Sequence, residues 1–308
     1  MKQLRCLHNS TFIRKMKIIP GEVKTNILHS YLLSAIAPRP ICFASTIDKE
    51  GRPNLSPYSF FNVFGSNPTT LIFSPARKVR DNTIKHTLQN IYETNEVVIN
   101  VVNYAMVQQT SLSSCEYEKG VDEFIKAGFT KLPSEKVKAF RVAESPVQME
   151  CKVRQIIETG TDGGAGNLVI CEVLVMHIND EILDEHQHID PNKIDLVSRM
   201  GFDYYCRASG SAIFEVKKPN TQLGIGVDQL PTSIRQSKIL TGNNIGILGN
   251  VHEIPLIDPS FDDARLKQII QYYSINPEDM EKELHIYAKQ LLDNDKVDEA
   301  WQVLLMSL

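Results

Sequence analysis

The sequence predicts a mainly β protein built on an antiparallel sheet or barrel, with a helical segment at its C-terminal end. Short apolar runs rich in β-branched residues follow one another as hairpins, with few helices between them. Residues 147–157 alternate between apolar and polar side chains, which is typical of a half-buried antiparallel strand. Residues 261–308 show helical spacing instead.

The strands are predicted from apolar runs bounded by turn residues, at 41–47, 71–73, 97–102, 147–157 and 168–178. A tight turn at 48–51 ends the first strand, and the Gly-rich segment 161–167 joins the last two. The strand–helix alternation of a doubly wound fold is missing, so the sheet is expected to be antiparallel.

Helices are expected between these strands and after them. Residues 26–36 form a short apolar helix or strand. In 83–94 apolar residues recur at i, i+4 and i+7, which predicts a helix with Asp81 or Asn82 as its N-cap. Residues 105–129 are predicted to be short helical pieces with loops.

Three segments of different character divide the chain, at 1–19 (an N-terminal extension), 20–215 (the sheet domain) and 216–308 (a loop-rich and then helical extension). In the last segment, helices are predicted to start at Phe261 and at Pro277, the second because Pro suits the first helical position. The stretch 240–250, LTGNNIGILGN, is predicted to be a tight loop.

Composition limits the classes of function. The chain has 308 residues and a net charge of −4, so no basic field is expected to draw it to nucleic acid or to an acidic membrane. No apolar run reaches the length of a membrane span. The six cysteines show no C-x-x-C spacing, which favours reduced thiols and a cytoplasmic location. A targeting role for the basic stretch 1–15 stays the alternative.

The residues that suggest a ligand site lie in 38–62 and 83–91. The start of a helix offers unpaired N–H groups and a positive dipole end, both of which suit a phosphate. Lys85 adds a positive charge there, and Thr83 and Thr87 add hydroxyl groups. The alternative is an ordinary surface helix, since Thr and Lys are common at such positions.

The segment 54–62 is predicted to be a hydroxyl-rich loop with aromatic residues. Its short polar groups and flat apolar rings are suited to the edge and face of a heteroaromatic ring. The alternative is a strand whose aromatics fill the core. For at least one of Phe60 and Phe61 that alternative is favoured, because adjacent strand residues point to opposite faces.

Other motifs carry less information. His177, His186 and His188 lie near several acidic residues, but their spacing favours a polar surface loop over a metal site. The Gly224–Gly226 pair does not follow a strand, so a Rossmann-type nucleotide domain is not expected.

Several collinear segments carry a resemblance to a known family. They are PRPICFASTIDKEGRPNLSPYSFFNVFGSNPTTLIFS at 38–74, KHTLQNIYETNEVVINVV at 85–102, VDEFIKAGF at 121–129, ESPVQMECKV at 144–153 and SRMGFDYYCRAS at 198–209. Over about residues 20–210 the chain resembles the flavin reductase-like, FMN-binding split-barrel family. It looks most similar to the branch of flavoredoxin and of the reductase component of nitrilotriacetate monooxygenase.

The resemblance implies an antiparallel FMN-binding split β-barrel with flanking helices, and a set of flavin-contacting positions. These are Arg39, Ser45, Thr46, Asn54, Ser56, Pro57, Tyr58, Ser59, Phe60, Asn62, Ser74, Lys85 and Thr87. Lys85 and Thr87 match a Lys-Asp-Thr motif associated with the phosphate, and His86 replaces its Asp here. A structural salt-bridge role is the alternative for Arg39.

The resemblance also implies a function. An FMN-binding homodimer of this family would pass hydride or electrons from NAD(P)H through FMN to free flavin, a partner oxygenase or another acceptor. The chemistry would occur on the flavin, so no catalytic side chain and no metal are expected. Two alternatives stay open: an FMN-binding electron carrier without NAD(P)H activity, and a non-catalytic split-barrel binding module.

Overall fold

The computed structural model describes residues 16–219 and 223–306. The chain divides into two compact units, residues 1–214 and 215–308. Residues 1–15, which make up most of the predicted N-terminal extension, lie outside the described residues. No helix in the described part of the chain is long and apolar enough to cross a membrane.

The first unit is built on a seven-stranded antiparallel sheet in the order β2-β1-β5-β8-β9-β4-β3. Its strands are β1 (Cys42–Ile47), β2 (Pro53–Tyr58), β3 (Phe61–Ser66), β4 (Thr69–Phe73), β5 (Glu96–Val101), β8 (Val147–Glu158) and β9 (Asn167–Ile178). Two small hairpins accompany it, β6 (Lys131–Leu132) with β7 (Arg141–Val142) and β10 (Val197–Arg199) with β11 (Tyr205–Arg207).

Both faces of β1 are covered, so all six of its residues are buried. Cys42 and Ala44 pack into the main core with Phe73, while Phe43 packs into a second cluster with Leu55 on the other face. This alternation follows from the two-residue period of a strand.

The described residues of this unit also form the helices α1 (Thr25–Ala35), α2 (His86–Thr94), α3 (Val107–Leu112), α4 (Glu123–Ala127) and α5 (Pro191–Ile194). Helix α2 packs on β1 and β2. It buries Leu88 and Ile91 in the main core, which fixes the position of its first turn beside the sheet.

The second unit is helical. It contains α6 (Thr232–Arg235), α7 (Gly242–Leu248), α8 (Ala264–Tyr272), α9 (Pro277–Leu292) and α10 (Val297–Leu305). Trp301 and Leu284 are fully buried in a core that belongs to this unit alone. Asn276 caps α9, whose first residue is Pro277 as predicted.

The predicted class, a mainly β antiparallel sheet with flanking helices and a helical C-terminal part, is confirmed. The five predicted strands are present within a few residues of their predicted bounds. Residues 26–36, left open between helix and strand, form α1.

The predicted loop at 54–62 is wrong, because most of it forms strands β2 and β3. Strand β2 lies at the edge of the sheet, where Pro57 is tolerated because no further strand needs its missing N–H group. Phe61 packs against the main core, whereas Phe60 is 39% exposed, as expected for neighbours that point to opposite faces.

Three further boundaries differ from prediction. Helix α2 starts at His86, because the Asp81 carboxylate accepts hydrogen bonds from Thr83 and Asn82 adopts a left-handed φ of 58°. The predicted loop at 240–250 contains α7, which a Thr241–Asn244 capping box starts. Helix α8 begins after the cap Asp263, not at Phe261.

Candidate functional site

A cleft lies where β2, the start of α2 and the segment 113–117 meet. It encloses about 420 Å³ of empty space, part of it open to solvent. The lining residues are Asn54, Ser56, Tyr58, Lys78, Ile84, Lys85, His86, Thr87, Ser113, Ser114, Cys115, Glu116, Tyr117 and Glu123. The structure thus brings five of the predicted site residues together: Asn54, Ser56, Tyr58, Lys85 and Thr87.

Thr87 joins the strand to the helix at the floor of this cleft. The side chains of Asn54, Ser56 and Tyr58 share one face of β2, since they are two residues apart. Asn54 Nδ2 and Tyr58 Oη both donate to Thr87 Oγ1, each at 2.8 Å. The Thr87 oxygen therefore has both lone pairs filled, and its hydroxyl hydrogen is left to donate to a ligand.

Tyr58 is a dependable donor in this arrangement. Burial raises the pKa of its hydroxyl to about 12, although hydrogen bonds to Thr87 and Ser56 act in the opposite direction. The phenol therefore keeps its proton throughout the physiological range and has a hydrogen to donate to Thr87.

Lys85 places an ammonium group at the N-cap of α2. No side-chain hydrogen bond caps this helix, and the first-turn N–H groups of His86 and Thr87 have no acceptor within it. A cation at a helix N-terminus is unfavourable, because the helix dipole is positive there. Among the described residues the ammonium group of Lys85 makes no hydrogen bond or ion pair, so its charge is left for an anion.

The charges around Lys85 also favour a bound anion at the first turn of α2. Burial, followed by the charge of Lys78, lowers the pKa of Lys85. Burial, followed by the charges of Lys119, Lys78 and Lys85, also lowers the pKa of His86. Positive groups thus converge on the first turn of α2, and a bound anion would relieve their repulsion.

The hydroxyl pair Ser45–Thr46 is split between the two faces of β1. Thr46 Oγ1 accepts a hydrogen bond from Asn90 of α2 at 3.1 Å. Ser45 lies on the opposite face, fully buried, and its hydroxyl has no hydrogen-bond partner among the described residues. Neither residue lines the cleft.

The remaining predicted positions surround the end of β2 and the start of β3, outside the cleft lining. Ser59 accepts a hydrogen bond from Arg39, and Ser74 Oγ accepts one from the backbone N–H of Asn167 at 3.0 Å. Pro57 pairs with Phe43 across the sheet. Phe60 contacts His29 edge-on, and Asn62 is exposed.

Arg39 is buried and does not form the salt bridge considered above. Its guanidinium donates to the backbone carbonyls of Leu33, Ile36 and Met200, and to the Ser59 hydroxyl. It therefore ties the end of α1 to the turn after β2. Burial, followed by the nearby charge of Arg199, lowers the pKa of Arg39.

Sequence reasoning missed Lys78, Glu123 and the segment 113–117. Glu123 is a buried carboxylate that accepts the Leu55 backbone N–H at 3.0 Å, and burial raises its pKa. The basic residues before α2 were a signal for Lys78. No local pattern marks 113–117, which reaches the cleft only through the packing of the fold.

Other candidate groups have structural partners. His177 Nε2 lies 2.7 Å from the buried carboxylate of Glu150, which also accepts the N–H groups of Glu135 and Lys136. His186 and His188 are exposed. Across residues 16–219 and 223–306, no group of three or more His, Cys, Asp or Glu side chains is placed to hold a metal ion.

The cysteines of the sheet are core residues. Cys42, Cys151 and Cys171 are free thiols in the main core, and burial raises the pKa of each. Such thiols are unreactive because the thiolate form is suppressed. Cys115 and Cys206 are also free, and Cys6 lies outside the described residues.

Known proteins share this architecture. A solved structure of nitrilotriacetate monooxygenase component B from Bacillus cereus is 26% identical, with a TM-score of 0.61, and the match covers 66% of this chain and 99% of that one. A protein with a split barrel domain from Shewanella frigidimarina is 25% identical, with a TM-score of 0.55 over 63% of this chain and 94% of that one.

Comparisons of the sequence also identify relatives and a family. An uncharacterized protein of Aquifex aeolicus is 33% identical over 201 residues, which are 65% of this chain and 100% of that protein. The model of the flavin reductase like domain matches residues 34–193, a range that includes β1 to β9, the start of α2 and the cleft. The chain therefore belongs to the flavin reductase-like family, and its first unit has that family's split-barrel fold.

Proposed function

We propose that the protein binds FMN in the cleft and passes hydride or electrons from NAD(P)H through it to free flavin or another acceptor. The observation that carries this proposal is the first turn of α2, where Lys85 lacks an acidic partner and Thr87 has only a donor to offer. In a flavin reductase-like chain, the phosphate of FMN is the anion that fits this turn.

The chain's own residues fit the cofactor in two parts. Lys85, the Thr87 hydroxyl and the first-turn N–H groups would hold the phosphate. On the ring side, the Ser59 and Ser74 oxygens already accept a hydrogen bond each, so each hydroxyl keeps its hydrogen to donate to a flavin oxygen or nitrogen. The exposed face of Phe60 would add apolar contact.

FMN, when bound, would supply the redox chemistry itself. The role of the protein is to bind and orient it: Asn54 and Tyr58 fix Thr87, and Arg39 fixes Ser59. The proposed transfer of hydride or electrons needs no side chain of the cleft as an acid or base.

Lys85→Ala tests the proposal. A charge-assisted bond to phosphate contributes roughly 1.5–3 kcal/mol, and because Lys85 is only half-buried we expect the lower end, about a tenfold loss of FMN affinity. Lys49→Ala removes an exposed lysine of the 48–51 turn and is the matched control. Fluorescence titration with FMN measures both. Equal dissociation constants for the Lys85 variant and the wild type would remove Lys85 from the site.

Two narrower alternatives concern activity. An FMN-binding electron carrier would hold the flavin but not react with reduced nicotinamide, whereas a non-catalytic binding module would take up no flavin. Stopped-flow mixing of the FMN complex with NADH and with NADPH distinguishes the reductase from the carrier. Bleaching of the flavin absorbance is the result expected here, and an unchanged absorbance contradicts the reductase.

We also propose a homodimer with a redox partner. Val63 and Phe64 on the outer strand β3 are 60% and 64% exposed, and α1 buries none of its residues in the described chain. Apolar surface of this kind suits a subunit interface. The Bacillus cereus relative is named as a monooxygenase component, which supports an oxygenase as one candidate acceptor. A monomer in analytical ultracentrifugation would contradict the dimer.

A further inference from the structure

One carboxylate of the cleft binds two cations of the same chain. Glu116 lies in the segment 113–117, and its two oxygens contact Lys78 at 3.3 Å and Arg80 at 2.9 Å. Glu116 and Lys78 both line the cleft, together with Lys85. The ion pairs thus connect segment 113–117 to the loop that precedes α2.

This carboxylate lies within the electrostatic field of the proposed phosphate site. The charge of Lys78 lowers the pKa of Lys85, and the charge of Glu116 acts on the same group in the opposite direction. Arg80 first and then Lys78 lower the pKa of Glu116. Three cations therefore lie near Glu116, which pairs with Lys78 and Arg80 but not with Lys85. Arg80 also pairs with Asp81 at 3.1 Å, and the charge of Asp81 acts on Lys85 in the same direction as that of Glu116.

A carboxylate held by a lysine and an arginine occupies the kind of position that phosphoryl oxygens also take. An exposed ion pair of this sort is weak, so a ligand with a higher charge can displace it. With Glu116 in place, the cleft offers one anion position, at Lys85. With Glu116 displaced, a second becomes free at Lys78 in the cleft lining and at Arg80, which lies outside that lining but contacts Glu116.

We propose that Glu116 is a specificity-determining residue that makes the cleft select a monophosphate over a diphosphate, because it occupies the second phosphoryl position itself. The inference rests on the proposed function, in which Lys85 binds the phosphate of FMN. It deepens that function by naming the ligand class that Glu116 disfavours: compounds that carry two linked phosphoryl groups, among them flavins with a diphosphate.

Isothermal titration calorimetry of the full chain with inorganic phosphate, inorganic pyrophosphate and FMN tests this. We expect Glu116→Gln to tighten pyrophosphate binding about fivefold, and phosphate and FMN binding about twofold at most. Glu118→Gln removes the same charge two residues away, outside the cleft lining, and should leave all three affinities unchanged. Adding Lys78→Ala to Glu116→Gln should abolish the gain for pyrophosphate.

If Glu116→Gln bound phosphate and pyrophosphate more tightly by the same factor, the inference would be overturned. A general change of charge would then explain both gains without a second phosphoryl position. An unchanged pyrophosphate affinity, or the same gain in Glu118→Gln, would also overturn the inference. The proposed function fails separately: a wild-type protein that takes up no FMN contradicts it, while the comparison of phosphate with pyrophosphate needs no flavin.

Discussion

At the residue scale, the direction of hydrogen bonding at Thr87 is central to the site. Thr87→Val keeps the side-chain shape but leaves Asn54 Nδ2 and Tyr58 Oη without their acceptor. We expect a loss of about 1–3 kcal/mol in the free energy of unfolding, with weaker FMN binding, whereas Thr87→Ser should retain most of both. Urea unfolding and FMN titration measure the two effects.

Thr83→Val is the control for this prediction. Thr83 Oγ1 bonds only the exposed Asp81 carboxylate at 2.6 Å, so its loss should change stability far less. If Thr87→Val bound FMN as tightly as the wild type, the hydroxyl of Thr87 would not contact the phosphate.

His86 should make stability depend on pH. Its pKa is lowered in the folded state, so the unfolded chain, with an ordinary value near 6.5, takes up the proton first. This contribution is fully present above about pH 6.5 and is lost as the pH falls below it. In urea unfolding from pH 5 to pH 8, the free energy of unfolding should fall less toward acid pH in His86→Gln than in the wild type. Identical profiles for His86→Gln and the wild type would contradict the prediction.

A lysine at a helix start breaks a local rule, and such a break marks a candidate site. A lysine among hydroxyls at a helix start indicated an anion, and the structure places Lys85 at an uncapped N-cap. Ser45 does not line the cleft, because a sequence does not show which face of a buried strand meets it; its role in cofactor binding stays a prediction. The cleft residues Lys78 and Glu116 come from separate segments, which only the tertiary fold brings together.

At the element scale, α4 protects the edge strand β2. Glu123, whose carboxylate accepts the Leu55 N–H, is the first residue of α4, and Asp122 caps that helix. Leaving this buried N–H unpaired in Glu123→Ala should cost about 1–3 kcal/mol of stability. Glu123→Gln keeps an acceptor oxygen in place and is the conservative comparison.

The charge of Glu123 gives these variants a pH signature. Its folded pKa is raised, so its contribution is fully present below the ordinary glutamate value and is lost as the pH rises through the folded value. Glu123→Gln should therefore become more stable relative to the wild type as the pH is raised above about 4.3. Thermal unfolding at several pH values checks this, and the opposite slope would contradict it.

Strands with clear alternation or β-branched runs, such as β5 and β8, were predictable because their burial pattern is local. Strand β2 was mistaken for a loop, since Pro53, Asn54 and Pro57 are turn residues by composition. It is a strand because pairing with β1 on one side and coverage by α4 overrule that local preference. The late start of α2 has a local cause instead, the hydrogen bonds between Thr83 and the Asp81 side chain.

At the scale of the whole molecule, the two units should unfold as separate cooperative steps. The chain has one tryptophan, Trp301, and it is buried in the core of the second unit. Tryptophan fluorescence therefore reports on that unit, while bound FMN reports on the first. In urea unfolding, we expect the two signals to reach their midpoints at different urea concentrations.

Matched core substitutions sharpen this prediction. Leu284→Ala should destabilise the second unit by about 2–5 kcal/mol, measured by tryptophan fluorescence. The unfolding of the first unit, measured by bound FMN, should not change. Ile99→Ala in the first unit should do the reverse. If either substitution moved both transitions together, the two compact units would not unfold independently.

The proposed function requires that the cleft bind FMN and that reduced nicotinamide deliver electrons to it. The most direct measurement is the visible absorption spectrum of the full chain after mixing with FMN and removal of unbound flavin, recorded anaerobically before and after NADH or NADPH is added. We expect a flavin band that stays with the protein and bleaches on reduction, and that Lys85→Ala largely loses. A protein that stays colourless would contradict the proposed function.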